Sequence, residues 1–325
     1  MSFRLGLFYT LLATTTSMVQ AQQVAKGLIY SATADFRHDS IPTAIQALKD
    51  KGPTYSITFD NTEDQTWFKN GSIHQYDVLV FLDNTGQVLD DSGEAALQNY
   101  VNLGGNFVGI HSASDCQRNS TFFEKELGAH FDYHPTITNA TVDVIDASHP
   151  STSMLPTEWQ VFDEMYNFKS DPRSVGAIVI LSANDSSYSD PGPRKFNQGT
   201  PHPTAWYQEH GAGFSGEGAV AGRSFYTSLG HTNETWMDDL FMAHVMGGIS
   251  WSIQSNTTKT MNSSALVGPG SSSSSASNTS SSSNASNAQS SSPASPTNTT
   301  SGSSRPLSLS MIAFLASFFV ATFLP

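Results

Sequence analysis

The ten-residue stretch Asn106-Phe107-Val108-Gly109-Ile110-His111-Ser112-Ala113-Ser114-Asp115 does most to limit the folds open to this chain. An apolar run there ends abruptly in a histidine and small polar residues, which reads as a buried strand delivering His111 to a ligand site. Upstream, Asp90-Asp91-Ser92 can cap a helix whose apolar residues Ala96, Leu97, Tyr100, Val101 and Leu103 lie mostly on one face, and Gly104-Gly105 stops it. A helix, a glycine stop and an apolar strand make an α/β unit. Ligands of open α/β sheets sit outside the carboxyl ends of the strands, so the turn from His111 to Asp115 is a natural place for chemistry. The competing reading of His111 is a hydrogen-bonded turn histidine.

The same grammar recurs earlier in the chain. Gly27 to Ala32 reads as a buried strand, followed by a loop containing Phe36-Arg37-His38 and then by a helix that Ser40 caps, with Pro42 in its first turn and an end at Lys51-Gly52. Tyr55 to Phe59 is a second strand. Tyr76 to Leu82 is a third, too apolar for a sheet with one wet face, and it too runs into a polar loop, Asp83-Asn84-Thr85-Gly86. Three polar loops at strand ends in the first 115 residues suggest one shared pocket rim.

Farther on, a short helix is expected from Asn119 to Leu127, strands over Ala140 to Ile145 and Val175 to Leu181, and a closing helix from Trp236 to Ile253. Gln160 to Phe168 mixes aromatics with Asp163 and Glu164. Pro201 to Tyr207 and Arg223 to His231 each look like a strand entering or leaving the same rim.

Of the 325 residues, the two ends are not fold material. Residues 1–21, with Arg4, an apolar core and Val19-Gln20-Ala21, read as a cleaved secretory signal. Residues 256–305 are rich in Ser, Thr, Asn, Ala and Pro and suit a disordered, glycosylated stalk; residues 306–325 end it with an apolar tail lacking a basic flank, the pattern of a GPI-attachment signal. A short transmembrane anchor is the alternative for that tail. The expected place is therefore the outer face of the plasma membrane or the cell wall. Asn-x-Ser/Thr acceptors at Asn70, Asn119, Asn139, Asn184 and Asn233 fall in the remaining domain, residues 22–255, and five more fall in the stalk. Cys116 is the single cysteine, so no intrachain disulfide supports the core. A formal net charge of −13 argues against nucleic acid as a partner.

Three chemistries remain open. Among the ten histidines, His38, His111 and His231 follow apolar runs, and with a carboxylate they could converge on a divalent metal. Gly109-Ile110-His111-Ser112-Ala113 has the outline of a nucleophile elbow, but its centre holds His rather than Ser or Cys. Ser112 and Ser114 read as turn residues, and Cys116 as a shielded thiol. Paired carboxylates are the third option: Asp163 and Glu164 face opposite ways on a strand, so only one of them could work with Asp115 across the rim. Tyr166, Phe168, Trp206 and Tyr207 could stack on sugar rings or belong to the core.

Taken in order, Phe36-Arg37-His38, Phe81 to Gly86, Gly104 to Asp115, His149-Pro150, Asp163 to Phe168, His202-Pro203 and Leu229-Gly230-His231-Thr232 resemble trehalose-utilisation (ThuA-like) domains over nearly all of residues 24 to 253. The resemblance implies a flavodoxin-like three-layer α/β sandwich with a mostly parallel sheet, similar to class I glutamine amidotransferases. Their elbow cysteine is replaced here by His111, so glutaminase chemistry is not implied. It further implies that His111 and Glu164 act as catalytic groups. His38, Asp83, Asp115, Tyr166, His202, Trp206 and His231 are then the expected substrate contacts. The expected activity is acid–base or metal-assisted chemistry on a carbohydrate or keto-sugar; the alternative is a non-catalytic glycan-binding or cell-wall module on a stalk. Asn233, two residues beyond His231, would place a glycan beside such a pocket.

Overall fold

In a computed structural model of the chain, residues 24–269 are described. The expected signal peptide, the attachment signal and the stalk beyond residue 269 lie outside them. The central sheet has nine strands: β1 (Ala25–Tyr30), β2 (Ile57–Thr62), β3 (Val78–Leu82), β4 (Asn106–Ile110), β5 (Thr138–Val144), β6 (Glu158–Asp163), β7 (Ile178–Ala183), β8 (Pro203–Gln208) and β9 (Ser224–Thr227). Their order is β2-β1-β3-β4-β9-β8-β7-β5-β6. The first five are mutually parallel, and the pairs from β9 to β6 are antiparallel. Only β8 and β5 therefore run against the other strands, and the sheet is mostly parallel, as expected.

Strand alternation builds the three layers. Val78, Val80 and Leu82 of β3 join one apolar cluster, and Leu79 and Phe81 join the other. The first cluster is covered by α1 (Ile41–Lys51) and, at the end of the domain, a long helix, Asp239–Ile253. The second is covered by α2 (Thr66–Lys69), α3 (Asp91–Asn102) and α4 (Thr121–Leu127). A strand buried on both faces has no wet side to supply polar residues, which is why β3 reads as a continuous apolar run.

Three local expectations change. Ser40 stands at the N-cap of α1, but its hydroxyl donates to Asp83 Oδ2 at 3.2 Å instead of capping the helix. The closing helix is two helices, α5 (Asn233–Met237) and α6 (Asp239–Ile253). Asp238 breaks them with an extended backbone and accepts from Phe241 N at 2.8 Å, starting α6 afresh. The first residues of the segment expected to be stalk are also ordered differently. Thr258 and Val267 are fully buried and bridge one another, so residues 256–269 pack on the domain instead of leaving it.

Candidate metal centre

Because β1, β3, β4 and β9 are parallel, their carboxyl ends open at one edge of the sheet. The loop after β1 carries His38, the turn after β3 Asp83, the turn after β4 His111, and the loop after β9 His231. From the antiparallel half, the end of β6 brings Asp163 and Glu164 to the same place. His38, His111, His231 and Glu164 each offer one ligand atom there, all lying within 4.8 Å of one another.

His111 is the fixed point. It has the left-handed φ of 52°, and Asp83 on the neighbouring strand end has 51°. Such backbone is uncommon in residues with a Cβ and is held only where the surroundings over-determine it. The sharp turn expected from the elbow-like sequence is thus present. Gly109 lies in close packing just before it: a Cβ there would meet Leu127 Cδ1 at 2.4 Å and Tyr226 Cδ2 at 3.1 Å, so those side chains would have to shift. His111 Nδ1 lies 2.6 Å from the Ser228 carbonyl oxygen, which can only accept, so Nδ1 carries the proton and Nε2 presents its lone pair.

That lone pair meets a crowd of polar atoms. Nε2 is 3.2 Å from His38 Nε2, 3.4 Å from His231 Nδ1 and 3.5 Å from Glu164 Oε2, and the Tyr166 hydroxyl reaches it at 3.0 Å. His231 Nδ1 lies 3.1 Å from Glu164 Oε2. Burial, then the nearby His38 imidazole, holds His111 well below the ordinary histidine value. His38 is lowered to about 4, mainly by burial and then by His231. His231 is raised, first by its hydrogen bond to Glu164. At neutral pH His38 and His111 are therefore neutral donors, the state in which imidazole binds a metal.

Asp163 faces away from this cluster and builds its scaffold. Oδ1 accepts from Glu164 N at 2.8 Å and His231 N at 3.4 Å; Oδ2 accepts from Gly230 N at 2.9 Å and Thr235 Oγ1 at 3.4 Å. One buried carboxylate thus ties the β6 end to the loop carrying His231. Desolvation raises its pKa to about 6, and these hydrogen bonds oppose the rise.

The sequence model of the ThuA family, described as trehalose utilisation, matches residues 26–252. The chain belongs to the ThuA family. Among solved structures, a ThuA-like protein of Bacteroides uniformis is similar with a TM-score of 0.54 and 19% identity, over 73% of this chain and 95% of that one. A ThuA-like protein of Parabacteroides merdae gives 0.53 and 16% over 71% and 90%. At these identities the likeness shows the shared fold. No curated protein matches the chain by sequence.

Within this ThuA domain the expected site residues separate into two groups. His38, His111, Glu164, Tyr166 and His231 come together. Asp83 is fully buried beside Ser40, with Oδ1 lacking a partner among the described residues, and burial holds its carboxyl well above the usual range. Asp115 instead pairs with Arg118, at 2.7 and 2.5 Å, and Arg118 also binds Asp35 at 2.8 Å, so Asp115 belongs to a surface ion-pair group. His202 is one step removed: Nε2 donates to the Tyr166 carbonyl at 2.8 Å and Nδ1 faces Asp185 at 2.8 Å, which positions Tyr166 from behind. Trp206 is a core residue. It is fully buried and donates Nε1–H to the Leu127 carbonyl at 2.7 Å, so its ring offers no face to a ligand.

Sequence reasoning misses His134. Its Nε2 lies 3.4 Å from Glu164 Oε1, the oxygen not turned to the histidine cluster, and its side chain is about a third exposed. His130 and His134 have the i, i+4 spacing of a helical ligand pair, yet Phe131–Tyr133 is a strand and the two diverge, His130 going to the Ser114 carbonyl at 3.2 Å. Of the glycan acceptors in the domain, Asn70, Asn119 and Asn139 are exposed, whereas Asn184 and Asn233 are half-buried.

Proposed function

We propose that this ThuA domain holds one divalent first-row metal on His38, His111, His231 and Glu164 and uses it on a carbohydrate. The observation that carries the reading is a set of distances. Donors about 2.0–2.1 Å from a tetrahedral ion lie about 3.3 Å from one another. Four of the ligand-atom separations here are 3.1, 3.2, 3.4 and 3.5 Å. Three imidazoles and a carboxylate suit zinc and its neighbours better than calcium or magnesium. Such an ion would act as a Lewis acid toward a sugar carbonyl or hydroxyl.

The chain's own residues supply the rest. The Ser228 carbonyl fixes the His111 tautomer, as outer partners of metal-binding histidines do. Tyr166, whose hydroxyl burial keeps protonated, reaches the cluster as a donor. His134 stands at the rim against Glu164 Oε1, within reach of both the site and water, where it can exchange a proton with a bound hydroxyl. The sugar class comes from the family's description as trehalose utilisation and from the aromatic and polar groups, Tyr166 among them, beside the cluster. We also infer that the domain works outside the cell on a GPI-anchored stalk. That inference rests on the composition of the chain ends, and release from intact cells by a phosphatidylinositol-specific phospholipase C tests it.

Elemental analysis of the protein, purified without chelating resin, tests the metal. Near-stoichiometric metal in the parent and its loss in His111→Ala is the expected result. A parent that takes up none of zinc, manganese, iron, cobalt or nickel after incubation and desalting would refute the metal reading. Saturable sugar binding without turnover by the loaded parent would favour a binding module over an enzyme.

A further inference from the structure

We propose that Phe36 is the platform on which a pyranose ring of the substrate lies while its hydroxyls reach the histidine cluster; this rests on the sugar reading above. Phe36 is 64% exposed. A single exposed apolar ring is ordinary on a protein surface, but the place of this one is not. Its centroid lies 4.8 Å from that of His38, with the rings at 83°. Phe36 and His38 line the same cavity of about 210 Å³, whose other walls include Asp39, His231, Asn233 and Glu234.

The loop that presents Phe36 is pinned on both sides. Thr85 Oγ1 donates to the Phe36 carbonyl at 2.6 Å, and Ala34 N donates to the Thr85 carbonyl at 2.8 Å. Arg118 holds Asp35 at 2.8 Å, and Arg37 pairs with Glu63 at 2.7 Å. A ring kept in water on a fixed loop loses little conformational entropy when a ligand covers it, so contact there favours binding. A pyranose has an apolar face of C–H groups and a rim of hydroxyls. Phe36 matches the face, and the Asp39 and Glu234 carboxylates match the rim with acceptors. Their negative charge also selects a neutral sugar over an anionic one.

An open-chain polyol carries the same hydroxyls with no ring face, which makes it the control. The full chain, loaded with metal, is titrated calorimetrically with methyl α-D-glucopyranoside, trehalose and sorbitol. Phe36→Ala is expected to weaken pyranoside binding by about threefold to tenfold, the factor that an aromatic stacking contact supplies. Its metal content and its sorbitol titration should match the parent, and Phe36→Trp should bind pyranosides at least as well as the parent. Pyranoside binding by Phe36→Ala equal to that of the parent overturns the platform and leaves the sugar reading standing. A metal-loaded parent that binds no pyranoside overturns both.

Discussion

Glu126 offers a prediction whose size can be worked through. It lies in α4, fully buried; Oε2 accepts from Gly213 N at 3.0 Å, and Oε1 has no partner among the described residues. Burial raises its pKa from 4.5 to about 8, opposed only by that one backbone hydrogen bond. Below pH 4.5 the carboxyl is protonated in both folded and unfolded chains and has no linkage effect. Between pH 4.5 and 8 the unfolded chain releases the proton and the folded chain keeps it, so stability falls as pH rises. At 1.36 kcal/mol per pKa unit, the loss is about 3 kcal/mol at pH 7 and approaches about 5 kcal/mol above pH 8.

Glu126→Gln removes the titration while keeping the shape. The amide can still accept from Gly213 N, and its NH2 group without a partner costs about 1–3 kcal/mol at every pH. The variant should therefore be less stable than the parent near pH 4.5 and more stable near pH 8.5. Urea unfolding of both proteins at half-unit intervals of pH, followed by tryptophan fluorescence, gives the difference curve. The buried histidines and the other buried carboxylates titrate in both proteins and cancel in that difference. A difference that stays constant from pH 4.5 to 8.5 would refute the reasoning, because Glu126 would then ionise as readily folded as unfolded.

Trp206→Leu should cost about 3 kcal/mol in urea unfolding, from the cavity and the unpartnered Leu127 carbonyl, while the folded fraction keeps its metal; loss of sugar binding at unchanged stability would return Trp206 to the site. Cys116 is fully buried, its thiol pKa pushed well above the ordinary value by burial, with Sγ donating to the Ala113 carbonyl at 3.3 Å. It should therefore resist a thiol reagent in the native protein and react once unfolded, and rapid native labelling would contradict this. If the chain is secreted, glycopeptide mass spectrometry should find Asn233 less occupied than Asn70, Asn119 or Asn139, because Asn233 is half-buried and its Oδ1 accepts from Thr43 at 2.5 Å. Full occupancy at Asn233 would show that the side chain is presented before α5 docks on α1.

The three site histidines could be read from the chain because each follows an apolar run, and parallel strands bring their carboxyl ends to one edge. The choice between Asp163 and Glu164 could not be read. Alternation puts the two on opposite faces but does not say which face meets the site, and that phase is set by Gly230 and His231, 67 and 68 residues farther on. His134 depends on a three-residue strand pairing with Asn167–Phe168, too short to leave any periodicity. Trp206 misleads for a related reason: β8 is buried on both faces, so its aromatics carry no mark of the side they face.

The elbow carries the most information because there the sequence departs from the pattern its outline suggests. A left-handed turn at the end of β4 projects whatever side chain stands at its centre into the site, and here that is a fully buried imidazole. Its Nδ1 proton is committed to Ser228, which leaves Nε2 to act as a base or as a ligand. Around His111 Nε2 stand two further imidazole nitrogens and a carboxylate oxygen as well as the Tyr166 hydroxyl, so three more metal-ligating groups converge on it. That convergence of ligand atoms on Nε2 is what supports the ligand role proposed for His111.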